Sequence, residues 1–67
     1  MSAGMKMKLE RIKRRKKQYE FAEELGISRE YLRLLENDQA KNPSVELMKK
    51  IAVKLEMTVG ELFFDEK

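Results

Sequence analysis

The sequence predicts an all-α fold of five helices, and three observations carry that prediction. Apolar residues recur at helical spacing along the 67 residues, no segment alternates at the strand period, and residues 18–37 read as two short helices about a tight turn. In that stretch, QYEFAEELGISREYLRLLEN, Phe21, Ala22 and Leu25 share one helical face. Gly26 ends the first helix, because glycine accepts the left-handed conformation just past a helix end without a Cβ penalty. Ser28 is an N-cap for the next helix, and Ile27 before it is placed to staple onto Leu32. The second helix turns Leu32 and Leu35 inward, and the small Ala22 lets two helices joined by so short a turn cross closely. Together, in this order, these features define a helix-turn-helix.

The other elements follow from the same local chemistry. A first helix is expected over about Lys6 to Lys17, with Met5, Leu9 and Ile12 as its inner stripe at i, i+4, i+7. The second and third helices cover Gln18 to Leu25 and Arg29 to Glu36. Asn37 to Pro43 (NDQAKNP) is a polar loop, and Pro43 directs Asn42 away from helical geometry. Ser44 caps a fourth helix that buries Leu47, Met48, Ile51, Ala52 and Leu55 and turns Lys49, Lys50 and Lys54 outward. Thr58 and Glu61 form a capping box, with Met57 stapling onto Leu62, so that a short fifth helix carries Glu61 to Phe64. Residues 1–4 are expected to be a flexible leader, with Met5 and Met7 as alternative starts, and residues 5–67 a single domain. The expected core unites Leu9, Ile12, Phe21, Ala22, Leu25, Ile27, Leu32, Leu35, Met48, Ile51, Ala52, Leu55, Val59 and Leu62. Met5, Met7, Met48 and Met57 are read as gap-fillers.

Composition narrows the function. The chain has neither cysteine nor histidine, which removes disulfides, zinc sites, and any Ser–His or Cys–His nucleophile. The acids lie scattered over outer helix faces and glycine is too sparse for a phosphate-cradling loop, so no enzyme is expected. No run approaches the roughly 18 apolar residues of a membrane span, and no signal-peptide segment follows the N-terminus. The expected location is the cytoplasm, on the nucleoid. Net charge is only +3, yet residues 1–17 hold eight Lys/Arg against Glu10, a local +7, while the rest of the chain sums to −4. A concentrated basic patch attracts a polyanion even on a nearly neutral protein. Beside a helix-turn-helix, the basic run is read as a source of phosphate contacts.

The segments QYEFAEELGIS, REYLRLLEN and NPSVELMKKIAVKLEMTVGELF resemble the lambda-repressor-like, Cro/cI-type (Xre) helix-turn-helix family over most of residues 18–64. That resemblance implies a five-helix DNA-binding bundle whose third helix enters the major groove, working as a dimer on a palindromic operator. Two departures stand out. Lys16 and Lys17 occupy positions where the family has an apolar residue and then Ser or Thr, so the cap of helix two is missing. Alternatively the turn between helices one and two is two residues shorter, which would place Leu9 and Ile12 on the family's apolar positions. The partner of Glu36 is Arg11 in the first alignment and Lys13 in the second, and both stay open. The second departure is Asp38, where the family frequently has Gly.

Carried over position by position, the resemblance implies that Ser28, Arg29, Glu30, Arg33 and Leu34 read bases, as the first turn of a recognition helix does. Arg29 leads, because an arginine fork bonds guanine O6 and N7 together; Glu30 accepts from cytosine N4 or repels phosphates in wrong registers. Arg33 reaches a further base or a phosphate, and Leu34 touches a thymine methyl or packs inward. Gln18, at the N-terminus of helix two, is expected on a phosphate, strengthened by Lys16 and Lys17. Asn37 and Lys41 clamp the backbone at the far end of helix three, and Tyr31 either does the same or packs against helix two. A homodimer is expected through Leu62, Phe63 and Phe64, which cannot all face one small core. The reading is therefore a sequence-specific regulator of double-stranded DNA, a repressor, with no cofactor, metal or small-molecule ligand. The alternative is a protein-interaction module on the same fold, of antitoxin or antirepressor type. Whether the chain is a minimal regulator or the DNA-binding part of a longer one stays open.

Overall fold

The computed structural model describes residues 1–41 and 43–64, so the expectation about Asn42 lies outside the described residues. Five helices follow one another: α1 (Ala3–Lys13), α2 (Gln18–Leu25), α3 (Arg29–Glu36), α4 (Val45–Lys54) and α5 (Val59–Phe63). They pack as one bundle in which α3 lies against α1 and α2, α4 against α2 and α5, and α5 against α1. The described residues contain no strand and no helix long and apolar enough to cross a membrane.

Local chemistry sets the helix ends. Ser28 Oγ accepts from the Tyr31 N–H at 3.0 Å and Ser44 Oγ from the Leu47 N–H at 3.2 Å. The box at α5 is reciprocal: Thr58 Oγ1 accepts from the Glu61 N–H at 3.0 Å, while the Glu61 carboxylate accepts from the Thr58 N–H at 2.9 Å. Only half of that box forms at α2, where the Glu20 carboxylate accepts from the Lys17 N–H at 2.8 Å. A lysine side chain has no acceptor with which to return the bond. Gly26 ends α2 at φ 72°, as its position demands, and Lys50 Nζ adds a bond to the Leu25 carbonyl at 3.3 Å. The last turns of α1, α3 and α4 are followed by Arg15, Asp38 and Glu56, all at positive φ without being glycine.

The core is Met7, Phe21, Ala22, Leu25, Leu32, Leu35, Ile51, Leu55 and Leu62, with Met48 and Ala52 buried beside it. Ile27 packs against it half-buried, and Val59 is half-buried as well. The first helix departs from expectation in both extent and register. It runs over residues 3–13 rather than 6–17, and Met5, Leu9 and Ile12 face solvent at 44%, 41% and 50% exposure. Its inner face is Gly4, Met7 and Arg11. That face carries one large apolar side chain, so hydrophobic spacing pointed to the wrong side of the helix.

Residues 2–4, expected in a flexible leader, instead anchor α1 onto the end of α3. Ser2 Oγ accepts from the Met5 N–H at 3.1 Å and donates to Asp38 Oδ2 at 2.6 Å. The Gly4 N–H donates to Asp38 Oδ1 at 3.1 Å, so a carboxylate sits on the free amides of the helix start. Gly4 is obligatory for this approach. A Cβ there would stand 2.5 Å from the Leu35 carbonyl oxygen and 2.7 Å from that of Glu36, and both are backbone atoms. Asp38, at φ 58°, therefore keeps its strained backbone while supplying a contact that glycine lacks.

Denaturant unfolding of three variants checks this register. Gly4→Ala is expected to cost about 1–3 kcal/mol by overpacking, and Met7→Ala about 2–5 kcal/mol by leaving a cavity. Leu9→Ala should stay within about 0.5 kcal/mol of the parent, as an exposed substitution does.

Candidate nucleic-acid interface

The site is built outward from a buried ion pair. Arg11 on α1 donates to both oxygens of Glu36 on α3, Nε to Oε2 at 2.7 Å and Nη2 to Oε1 at 3.2 Å. Its remaining nitrogen, Nη1, donates to the Lys16 carbonyl at 2.8 Å and so closes the turn into α2. The two side chains are 9% and 1% exposed. This settles the partner of Glu36 as Arg11; Lys13 lies outside and pairs with Glu10 at 3.3 Å.

From Glu36 a chain of hydrogen bonds runs to the surface. Gln18 Nε2 donates to Glu36 Oε1 at 3.0 Å, which fixes the orientation of the amide. Its carbonyl oxygen must then face outward, and it accepts from Arg29 Nε at 3.4 Å. Gln18 at the start of α2 and Arg29 at the start of α3 are thus held side by side at one edge of the bundle. Each fixed group in the chain lowers the entropy that the next must lose on engaging a ligand.

Along α3, Ser28, Arg29, Glu30 and Arg33 are exposed and Leu34 is half-buried. Glu30 and Arg33 meet as a two-pronged pair, Nε to Oε1 at 3.0 Å and Nη2 to Oε2 at 2.6 Å. These bonds hold the Glu30 carboxyl below its ordinary value of 4.5 and raise the Arg33 guanidinium, each through the hydrogen bond to the other. Both groups lie in solvent, so the pair opens at little cost when a better partner arrives.

The residues expected on phosphates divide. Lys17 is exposed beside Gln18, and Asn37 and Lys41 are exposed beyond the far end of α3. Lys16 turns elsewhere, with Nζ 2.8 Å from Glu24 and 5.5 Å from the centre of the Phe21 ring. Tyr31 is half-buried and packs on the core. The basic N-terminal run is accordingly not one open patch. Arg11 is buried with Glu36, and Arg14 is paired with Glu10 at 2.7 Å and lies 3.6 Å from Glu56. Lys6 donates to the Glu61 carbonyl at 2.9 Å. At the C-terminus, Leu62 is 1% exposed and belongs to the core, so it is no surface for a partner. Phe63 packs half-buried and Phe64 is 63% exposed. Sequence reasoning had no signal for the brace from Ser2 and Gly4 to Asp38, because its residues are far apart in the chain.

Two helices about a tight glycine turn, with the polar edge of the second held outward by a buried ion pair, define a helix-turn-helix protein. Residues 7–62 match the helix-turn-helix family model, and the chain belongs to that family. It is 39% identical over 56 residues to the HTH-type transcriptional regulator SlrR of Bacillus subtilis (strain 168), covering 79% of this chain and 37% of SlrR. The chain thus spans little more than a third of that relative's length. Its fold is similar to SinR, the master regulator for biofilm formation, in a crystal structure with DNA. That match has a TM-score of 0.81 and 28% identity, over 90% of this chain and 95% of that one. A second similar structure is the SinR/SinI protein complex, with a TM-score of 0.80 and 29% identity over 88% and 57% of the two chains. SlrR is a transcriptional regulator and SinR a regulator of biofilm formation, and the family is not one of enzymes.

Carboxyl NMR titration checks the Glu30–Arg33 pair. Because the folded value is lowered, the pair's stabilisation is present above about pH 4.5 and lost as pH falls through the lowered value. Glu30 should titrate below 4.5 in the parent and return toward it in Arg33→Ala.

Proposed function

We propose that this domain is a sequence-specific, double-stranded DNA-binding regulator, a repressor, that docks α3 in the major groove of a palindromic operator. The observation that carries this reading is the placement of Arg29 and Gln18 side by side at the exposed N-terminal ends of α3 and α2. Arg29 reads a guanine through O6 and N7, while Glu30 and Arg33 exchange their mutual bonds for base edges or phosphate. Ser28 and Leu34 complete the reading face, Ser28 while also capping α3. Gln18, with the free amides of α2, takes a phosphate, and Lys17, Asn37 and Lys41 hold the backbone on either side. The contribution of Lys16 is confined to stabilising the turn through Glu24. The similarity to SinR, solved in complex with DNA, supports the same docking.

One such domain covers too few base pairs to select an operator, so two copies bind half-sites about one helical turn apart. Phe64, with Phe63 beside it, supplies the apolar contact between copies; Leu62 does not. The domain acts in the cytoplasm, on the nucleoid.

In vitro selection from random duplex DNA at near-physiological salt tests this reading with the parent, Arg29→Ala and Lys17→Ala in parallel. The parent should enrich a palindrome. Arg29→Ala should relax one symmetric base pair by about 1–3 kcal/mol, while Lys17→Ala weakens all sequences alike and flattens the salt dependence. Salt-sensitive background binding without enrichment would overturn the proposal.

A further inference from the structure

We propose that the outer face of α1, formed by Met5, Leu9 and Ile12, is a docking site for an acidic amphipathic helix of another protein. The three residues stand at i, i+4, i+7 and are 44%, 41% and 50% exposed. None belongs to the core or to the half-buried side chains packed on it. α1 therefore presents more large apolar side chains to solvent than to its own core, where it contributes only Met7. A surface helix ordinarily does the reverse, and an apolar stripe rimmed by polar residues marks an interaction surface.

Charge identifies the occupant. At 100° per residue the three positions span an arc of about 60°, with Lys8 along one edge and Lys13 along the other. Arg15 is exposed just past the end of the helix. The acid of α1, Glu10, is bound by Arg14 and Lys13, and those bonds draw its carboxyl below the ordinary range. The rim is thus positive around an apolar centre, which fits a helix carrying apolar residues at i, i+3, i+4 and i+7 between flanking carboxylates. A second copy of this chain would set lysines against lysines across the same face. A lipid surface is disfavoured because so narrow a stripe on a folded domain cannot sink about 5–10 Å into the headgroup boundary. The site uses no residue assigned to DNA, so the proposal stands independently of that reading.

The test uses amide NMR of the labelled protein and two synthetic helical peptides of about 15 residues, with leucine at i, i+4, i+7 and i+11. One carries Glu on the flanks, the other Lys. The Glu peptide should shift residues 5, 8, 9, 12 and 13, bind at least about ten-fold more tightly than its Lys twin, and weaken as salt rises. Leu9→Ser combined with Ile12→Ser should abolish those shifts while leaving the α3 resonances in place, which shows that the variant is folded. Equal binding of both peptides, shifts confined to a different groove, the one lined by Ile27, Ser44, Leu47 and Lys50, or no shifts would overturn the proposal. So would movement of the α1 stripe on simple concentration of the protein, which would mean a second copy. The same movement on adding vesicles of phosphatidylglycerol, with no response to the Glu peptide, would mean a membrane instead.

Discussion

The Arg11–Glu36 pair ties together α1, the end of α3 and the turn into α2 through one buried guanidinium. One guanidinium binds α3 through Glu36 and the turn into α2 through the Lys16 carbonyl, and the same carboxylate orients Gln18. Burial makes the pair demanding: removing one member strands the other charge in the interior, at a cost of about 3–5 kcal/mol. A chain of 67 residues has a total stability of only about 3–10 kcal/mol, so that loss would claim much of it. In the proposed docking the same pair links stability to recognition, because the hydrogen bonds that satisfy Glu36 continue through Gln18 to Arg29.

The helix-turn-helix was legible because its determinants are local. Ser28, Gly26 and the Leu32/Leu35 spacing act within one or two turns, and α2 and α3 begin and end where those residues place them. α4 and its Ser44 cap were legible for the same reason. The first helix was not. Its inner face holds a glycine chosen for close backbone approach and an arginine buried with a distant partner, and neither scores as apolar. Met5, Leu9 and Ile12 supplied a cleaner helical period on the opposite side, and the period was followed. Asp38 likewise looked like a departure in a loop; its purpose appears only when the start of α1 folds back on it.

Charge shows the same limit. A local +7 over residues 1–17 suggests one cationic surface, but Arg11, Arg14 and Lys16 are engaged with carboxylates within the domain, and Lys8, Lys13 and Arg15 lie along or just past the outer side of α1. In the proposed docking, the contacts to a polyanion are placed by geometry rather than by number: Lys17 beside Gln18, Arg29 at the start of α3, and Lys41 beyond its end. Such an arrangement positions a few contacts on a rigid edge, which favours selectivity over bulk electrostatic attraction.

The measurement that bears most directly on this account is a double-mutant cycle on the pair, read by denaturant unfolding of Arg11→Met, Glu36→Met and the double variant. If the pair is the interaction on which the bundle turns, each single variant loses several kcal/mol and the double variant loses far less than their sum, since no charge is left buried alone. Small losses that simply add would contradict it, and would mean that α1, α2 and α3 are held together by apolar packing alone.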